Sequence, residues 1–161
     1  PIVYDMEVGA LTNDAFFEQM QKLTVSGTST EAIRHAWCTM LIGFPHKRLE
    51  LVSQLARRYN LYVLSNTNAL HVDYFEDLFQ KTHGFDFRTQ FKHVFYSSDI
   101  GCRKPHAEAF QLVVEIAGLK THETVMVDDL PENCNAAESI GLHSVRVPAE
   151  TGLEAVMHQL I

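Results

Sequence analysis

The sequence predicts an α/β fold in which a doubly wound parallel sheet is covered by helices on both faces. Three observations carry this prediction. From Pro45 onward, short apolar runs alternate with segments of helical period, as strands joined by crossover helices do. Those runs are continuously apolar rather than alternating, as strands buried on both faces require. Before Pro45 only helical patterning is present, so a helical part precedes the sheet.

The elements follow in order. A helix over residues 14–20 is capped by Thr12 or Asn13, and Leu23 extends its apolar face. Residues 26–29 form a loop. Thr30 caps a second helix over 31–41, with Ile33, Trp37 and Met40 at helical spacing. Trp37 and the Phe16-Phe17 pair are expected to pack these helices together. Pro45 opens the next helix, whose buried stripe is Leu49, Val52, Leu55 and Ala56. Strands are predicted at 61–64, 93–96, 124–127 and 144–147. Between them lie helices at 69–80, 107–117 and 132–140, the last two closed by Gly118 and Gly141. A final helix covers 152–160. The division expected is a helical region over 1–44 and a sheet-containing core over 45–161.

Composition narrows the function. A chain of 161 residues that is 46% hydrophobic suits one domain with a small appendage. A net charge of −7, with no run of Lys or Arg, argues against nucleic acid as a partner. No apolar run reaches the roughly 18 residues of a membrane span, so no membrane partner is expected. Cys38, Cys102 and Cys134 are scattered without a CxxC pair, which fits reduced thiols and a cytoplasmic location. The nine histidines are equally dispersed and suggest no metal site.

Three motifs end apolar runs. Ser65-Asn66-Thr67 follows the first strand, and its hydroxyl and backbone N–H groups suit a phosphate oxygen. A helix cap that binds nothing would look the same. Arg103-Lys104-Pro105 offers an ammonium held extended by the following proline. Asp128-Asp129 ends the third strand. Two adjacent carboxylates there call for a counter-charge, which Mg²⁺ supplies with its preference for oxygen ligands. Asn133 is placed to orient that pair or to bind in an outer shell. His106, two residues after Lys104, is either a rim residue or simply a helix-start histidine. Ligands of doubly wound sheets bind outside the carboxyl ends of the strands, where all three motifs fall.

In that order, Val63-Leu64-Ser65-Asn66-Thr67-Asn68, Gly101-Cys102-Arg103-Lys104-Pro105 and the stretch from Val127-Asp128-Asp129 to Ala136 resemble motifs two, three and four of the haloacid-dehalogenase-like (HAD) hydrolases. The chain is similar to the branch with an α-helical cap inserted after the first strand, and within it to bacterial sugar-phosphate phosphatases related to glucose-1-phosphate phosphatase. The resemblance spans residues 14–147. It implies a Rossmann-like core, a partial helical cap over residues 14–44, Mg²⁺ as cofactor and a small phosphorylated metabolite as substrate. It implies that Ser65 binds the transferring phosphoryl group and that Lys104 neutralises that group and the nucleophile. Asp129 most directly, with Asp128, would hold Mg²⁺.

One departure stands out. The family begins with Asp-x-Asp at the end of a first strand, the first Asp attacking phosphorus and the second serving as general acid/base. Asp86-Phe87-Arg88 lies in a polar loop between other motifs and is rejected. Asp5 follows too short an apolar run and would need Glu7 as the second acid. The first strand and nucleophile are therefore expected before Pro1, and these residues alone are expected not to turn over. Rival readings are a non-catalytic phosphate- or metal-binding protein and a haloacid dehalogenase, which needs no Mg²⁺. A phospho-acceptor receiver domain is set aside because its acidic pair comes first in the chain. An incomplete sheet centre or cap would favour association into a homo-oligomer.

Overall fold

The computed structural model describes residues 2–148 and 152–157. Its helical part comprises α1 (Ile2–Glu7), α2 (Asn13–Leu23) and α3 (Thr30–Cys38). The sequence reading assigns no element to α1. Thr12 caps α2 as predicted, its hydroxyl accepting from Ala15 N at 3.3 Å. The cap of α3 is Ser29 rather than Thr30, with its hydroxyl 3.1 Å from Ala32 N. That helix stops three residues short of the predicted end, where the Thr39 hydroxyl turns back to donate to Ala36 O. Met6, Phe16, Phe17 and Ile33 bury together with Leu70 of the following part, joined by Trp37. The Phe16 and Trp37 rings lie 4.9 Å apart, so the aromatic pair does pack these helices.

The second part runs α4 (His46–Leu55), β1 (Tyr62–Ser65), α5 (Ala69–His83), β2 (His93–Tyr96), α6 (Ser97–Ile100), α7 (Ala107–Ala117), β3 (Val125–Asp128), α8 (Pro131–Ser139), β4 (His143–Arg146) and α9 (Leu153–Met157). The predicted β2 and α7 match residue for residue. β1 and β3 begin one residue later than predicted and β4 one earlier. α5 runs on to His83 and ends at Gly84. Pro131 takes the first position of α8, one residue before the predicted start. Residues 158–160 of the predicted last helix lie outside the described residues.

All strand pairs are parallel. β1 pairs with β2, Ser65 opposite Tyr96, and β3 pairs with β4, Asp128 opposite Arg146. Among the described residues no ladder joins β1 to β3, so the sheet is in two halves. The halves are nevertheless neighbours. Leu61 and Val127 pack on Leu51, Leu55 and Met157 on one face, whereas Leu64 and Met126 pack on Phe110, Ala137 and Leu142 on the other. The sheet is thus sandwiched, with α4 and α9 on one side and α7 and α8 on the other. An aromatic cluster closes the outer half: Phe79, Phe87 and Tyr96 bury with Phe44, Phe75 and Phe91 around them.

The chain winds outward from β1 to β2, crosses back to β3 and winds outward again to β4. Strand order therefore reverses between β1 and β3, the position at which doubly wound sheets form their ligand crevice.

Candidate active site

Ser65 and Asp128 are each the last residue of a strand, and both strands flank the reversal point. The turn carrying Lys104 closes the crevice. Its ammonium meets Asp128 Oδ2 at 2.6 Å, and the two side chains are only 12% and 5% exposed. Asp128 Oδ1 accepts from Leu130 N at 3.0 Å and from Asn133 Nδ2 at 2.9 Å. Burial pushes the Asp128 carboxyl up, but the bonds from Lys104, Asn133 and Leu130 outweigh it and hold the group below the usual carboxylate range.

Asn66 joins the Ser65 motif to Lys104. Its Nδ2 donates to Lys104 O at 2.8 Å, and its Oδ1 accepts from Lys104 N at 2.9 Å. An amide matched to both backbone groups of one residue fixes the position of that residue. A continuous hydrogen-bonded path therefore runs from Asn66 through Lys104 and Asp128 to Asn133, uniting all three sequence motifs.

One expectation is altered. Thr67 N–H was expected to face a phosphate, but it donates to Ser97 Oγ at 2.9 Å, and that hydroxyl donates back to Thr67 O at 3.0 Å. Ser97 is fully buried, so it pins the Ser65 turn from β2's side rather than binding a ligand. The Asn66 side chain is occupied by Lys104, which does not engage the Asn66 backbone N–H assigned to phosphate. Ser65 Oγ, by contrast, makes no hydrogen bond among the described residues, although its residue is half-buried. Asp5 lies inside α1, not at a strand end, and Asp86 caps a 3-10 turn at 87–90. Neither is placed as a strand-end nucleophile. His106 is exposed at the start of α7, its ring 6.5 Å from that of Tyr4.

The acidic end has free oxygen donors. Asp129 is exposed, with its carboxylate unpaired among the described residues. Asn133 Oδ1 is buried and has no partner among the described residues. The carboxylate of Asp128 can only accept, which forces the Asn133 amide nitrogen toward it and leaves this oxygen over. A hard cation that takes carboxylate and amide oxygens suits such a set. Among the described residues, no three of His, Cys, Asp or Glu gather into a metal-binding group.

Residues 5–141 match the sequence profile of the haloacid dehalogenase-like hydrolases. The chain belongs to that family. D-ribitol-5-phosphate phosphatase of Bacteroides thetaiotaomicron is 24% identical over 143 residues, covering 89% of this chain and 69% of that protein. The HAD family enzyme BT-2542 of the same organism, crystallised with magnesium and inorganic phosphate, has the same fold. It matches at a TM-score of 0.89 and 28% identity over 94% of this chain and 78% of that one. L-2-haloacid dehalogenase of Xanthobacter autotrophicus shares the fold alone, at a TM-score of 0.64 and 18% identity over 99% of this chain and 64% of that one. This HAD-like chain thus combines an α/β core with a Lys104–Asp128 pair tied through Asn66 to the end of β1. None of its described helices is long and apolar enough to cross a membrane.

Proposed function

We propose that the protein is a Mg²⁺-dependent phosphatase of a small phosphorylated metabolite such as a sugar or polyol phosphate. The observation that carries this reading is the buried Lys104–Asp128 pair, tied through Asn66 to Ser65 at the strand-order reversal. A fixed ammonium and an unengaged hydroxyl, on turns joined by Asn66, suit a phosphoryl group whose charge must be neutralised as it transfers. The phosphatase relative and the magnesium- and phosphate-bound neighbour support the same assignment.

Each residue then has a part. Ser65 Oγ donates to a non-bridging phosphoryl oxygen. Lys104 neutralises the transferring group and the attacking carboxylate. Asp129, Asp128 and Asn133 Oδ1 would hold Mg²⁺, which supplies charge neutralisation at the phosphoryl oxygens when bound. The attacking carboxylate comes from a strand between β1 and β3, where neither half-sheet has a ladder partner. That carboxylate forms a bond to phosphorus as the ester oxygen leaves and takes a proton, and water then hydrolyses the acyl phosphate. The helices α1–α3 serve as the cap over the crevice.

The test is phosphate release from a panel of sugar and polyol phosphates by the protein with the attacking carboxylate in place. Release that stops with EDTA, returns with Mg²⁺ and falls about a hundredfold or more in Asp129→Asn and Lys104→Ala is expected. Release unaffected by EDTA or by loss of Lys104 would rule the reading out. Halide release from a 2-haloacid without Mg²⁺ would favour the dehalogenase alternative.

A further inference from the structure

We propose that Glu7 is a positioning residue for Lys104, acting across the molecule through Arg103. The inference rests on the reading of Lys104 as the cation of the phosphoryl site. Arg103 has two partners at once. Its Nε donates to Lys104 O at 3.2 Å, and its Nη1 forms an ion pair with Glu7 Oε2. Lys104 O is the acceptor that Asn66 Nδ2 also uses, so the backbone beside the reactive ammonium is held from two sides. Asn66 holds it from the end of β1, and Arg103 from the helical part.

The Glu7–Arg103 pair differs from an ordinary surface pair. The two side chains are 17% and 28% exposed. Glu7 Oε2 is buried and has no hydrogen-bond partner beyond that guanidinium among the described residues. Exposed pairs elsewhere, such as Lys81–Asp77 or Lys120–Glu123, are screened by water and contribute little. A half-buried pair is screened less, and losing one partner strands the other. Arg103 is also suited to the task as a residue type. Its planar fork presents Nε–H to a carbonyl and Nη1–H to a carboxylate in fixed relation, which a lysine cannot do.

The rest of α1 agrees. Tyr4, one turn before Glu7 on the same helix face, lies under the guanidinium with its ring 5.8 Å away, and its edge meets His106. One face of α1 therefore rests on the turn over residues 103–106. Met6 points instead into the helical core with Phe16 and Phe17. Displacing the helical part would pull on Glu7, and through Arg103 on the Lys104 carbonyl. Glu7 touches no reacting group in this arrangement. It sets where Lys104 stands.

The test is site-resolved amide hydrogen exchange on the protein and on Glu7→Gln and Arg103→Lys. Lys104 N–H, which donates to Asn66 Oδ1, should exchange about tenfold faster in both variants, while Val113 N–H in the interior of α7 keeps its protection. Wild-type exchange at Lys104 in a folded Glu7→Gln protein overturns the proposal. Should Glu7→Gln lose Val113 protection as well, Arg103→Lys decides: it keeps a cation for Glu7 but removes the Nε donor, and unchanged Lys104 exchange there also overturns it. Phosphate release by the same proteins separates this inference from the phosphatase reading. A lower kcat at unchanged KM in Glu7→Gln supports it, and an unchanged kcat with Lys104 loosened refutes it. Absence of release from every version with the attacking carboxylate in place, with Lys104 loosened in Glu7→Gln, supports the linkage and counts against the phosphatase reading.

Discussion

Asp128 accepts bonds on both carboxylate oxygens while buried, so its charge is tied to the folded state. The folded carboxyl binds its proton less readily than the unfolded one, whose pKa is about 3.9. The stability it contributes is therefore complete above that value and is lost as pH falls through the depressed folded value. Asp128→Asn removes the charge and strands the Lys104 ammonium. Urea unfolding at pH 7 should find it less stable by about 3 kcal/mol. Repeated near pH 3, the gap should narrow, because the wild-type carboxyl is then giving up the same interaction. A gap of equal size at both pH values would mean that the charge is not what Asp128 supplies. Ser65 and Asp128 were legible from sequence because a polar residue at the end of an apolar run is conspicuous, whereas Lys104 lies beyond β2 and α6 and stood out as the cation before Pro105. The Glu7–Arg103 pair and the double bond of Asn66 to Lys104 were not. Each joins segments far apart in the chain, and no periodicity or spacing encodes which distant backbone a side chain will meet.

At the level of elements, α1 is the least legible part and the most consequential for the site. Its six residues carry no cap signal that separates them from a loop. What holds the helix is tertiary: Met6 in the helical core, Glu7 on Arg103, and the chain just beyond it pressed against α6. Gly9 makes that last contact. At φ +68°, a Cβ there would stand 2.4 Å from the backbone oxygen of Ser98. Gly27 provides the comparison, with φ +90° and nothing within 4 Å. Gly27→Ala should cost about 1 kcal/mol from the left-handed backbone alone. Gly9→Ala adds the clash, and should exceed that by a further 1 kcal/mol or about that much in chemical denaturation. Equal losses at the two sites would show that α1 does not depend on its contact with α6. Elsewhere the elements were read well where two signals agreed. α7 has both helical period and a closing Gly118, and was bounded correctly. α3 had period without a decisive stop, and was overrun.

The whole molecule is organised around an interruption. β1 and β3 share side-chain clusters on both faces of the sheet, yet each is laddered on one edge only among the described residues. Unpaired strand edges inside a packed layer leave backbone groups without partners, at about 1–3 kcal/mol for each group kept from water. The polar trio gathers at this same place, so the site and the sheet are completed together by the proposed strand with its attacking carboxylate. Two separate observations meet in that proposed strand, the absence of a strand-end Asp-x-Asp among the described residues and the absence of a ladder between β1 and β3 there. Hydrogen exchange on a polypeptide of these 161 residues examines the arrangement directly. Successive residues of a parallel strand turn their amides to opposite neighbours. Alternate amides within Tyr62–Ser65 and Val125–Asp128 should thus exchange at loop-like rates, and those facing β2 and β4 should be protected. Joining a strand that ends in Asp-x-Asp should protect the gap-facing set and switch on Mg²⁺-dependent phosphate release in the same protein. Uniform protection of β1 and β3 without that strand would mean that another segment already fills the gap, and would remove the place assigned to the nucleophile.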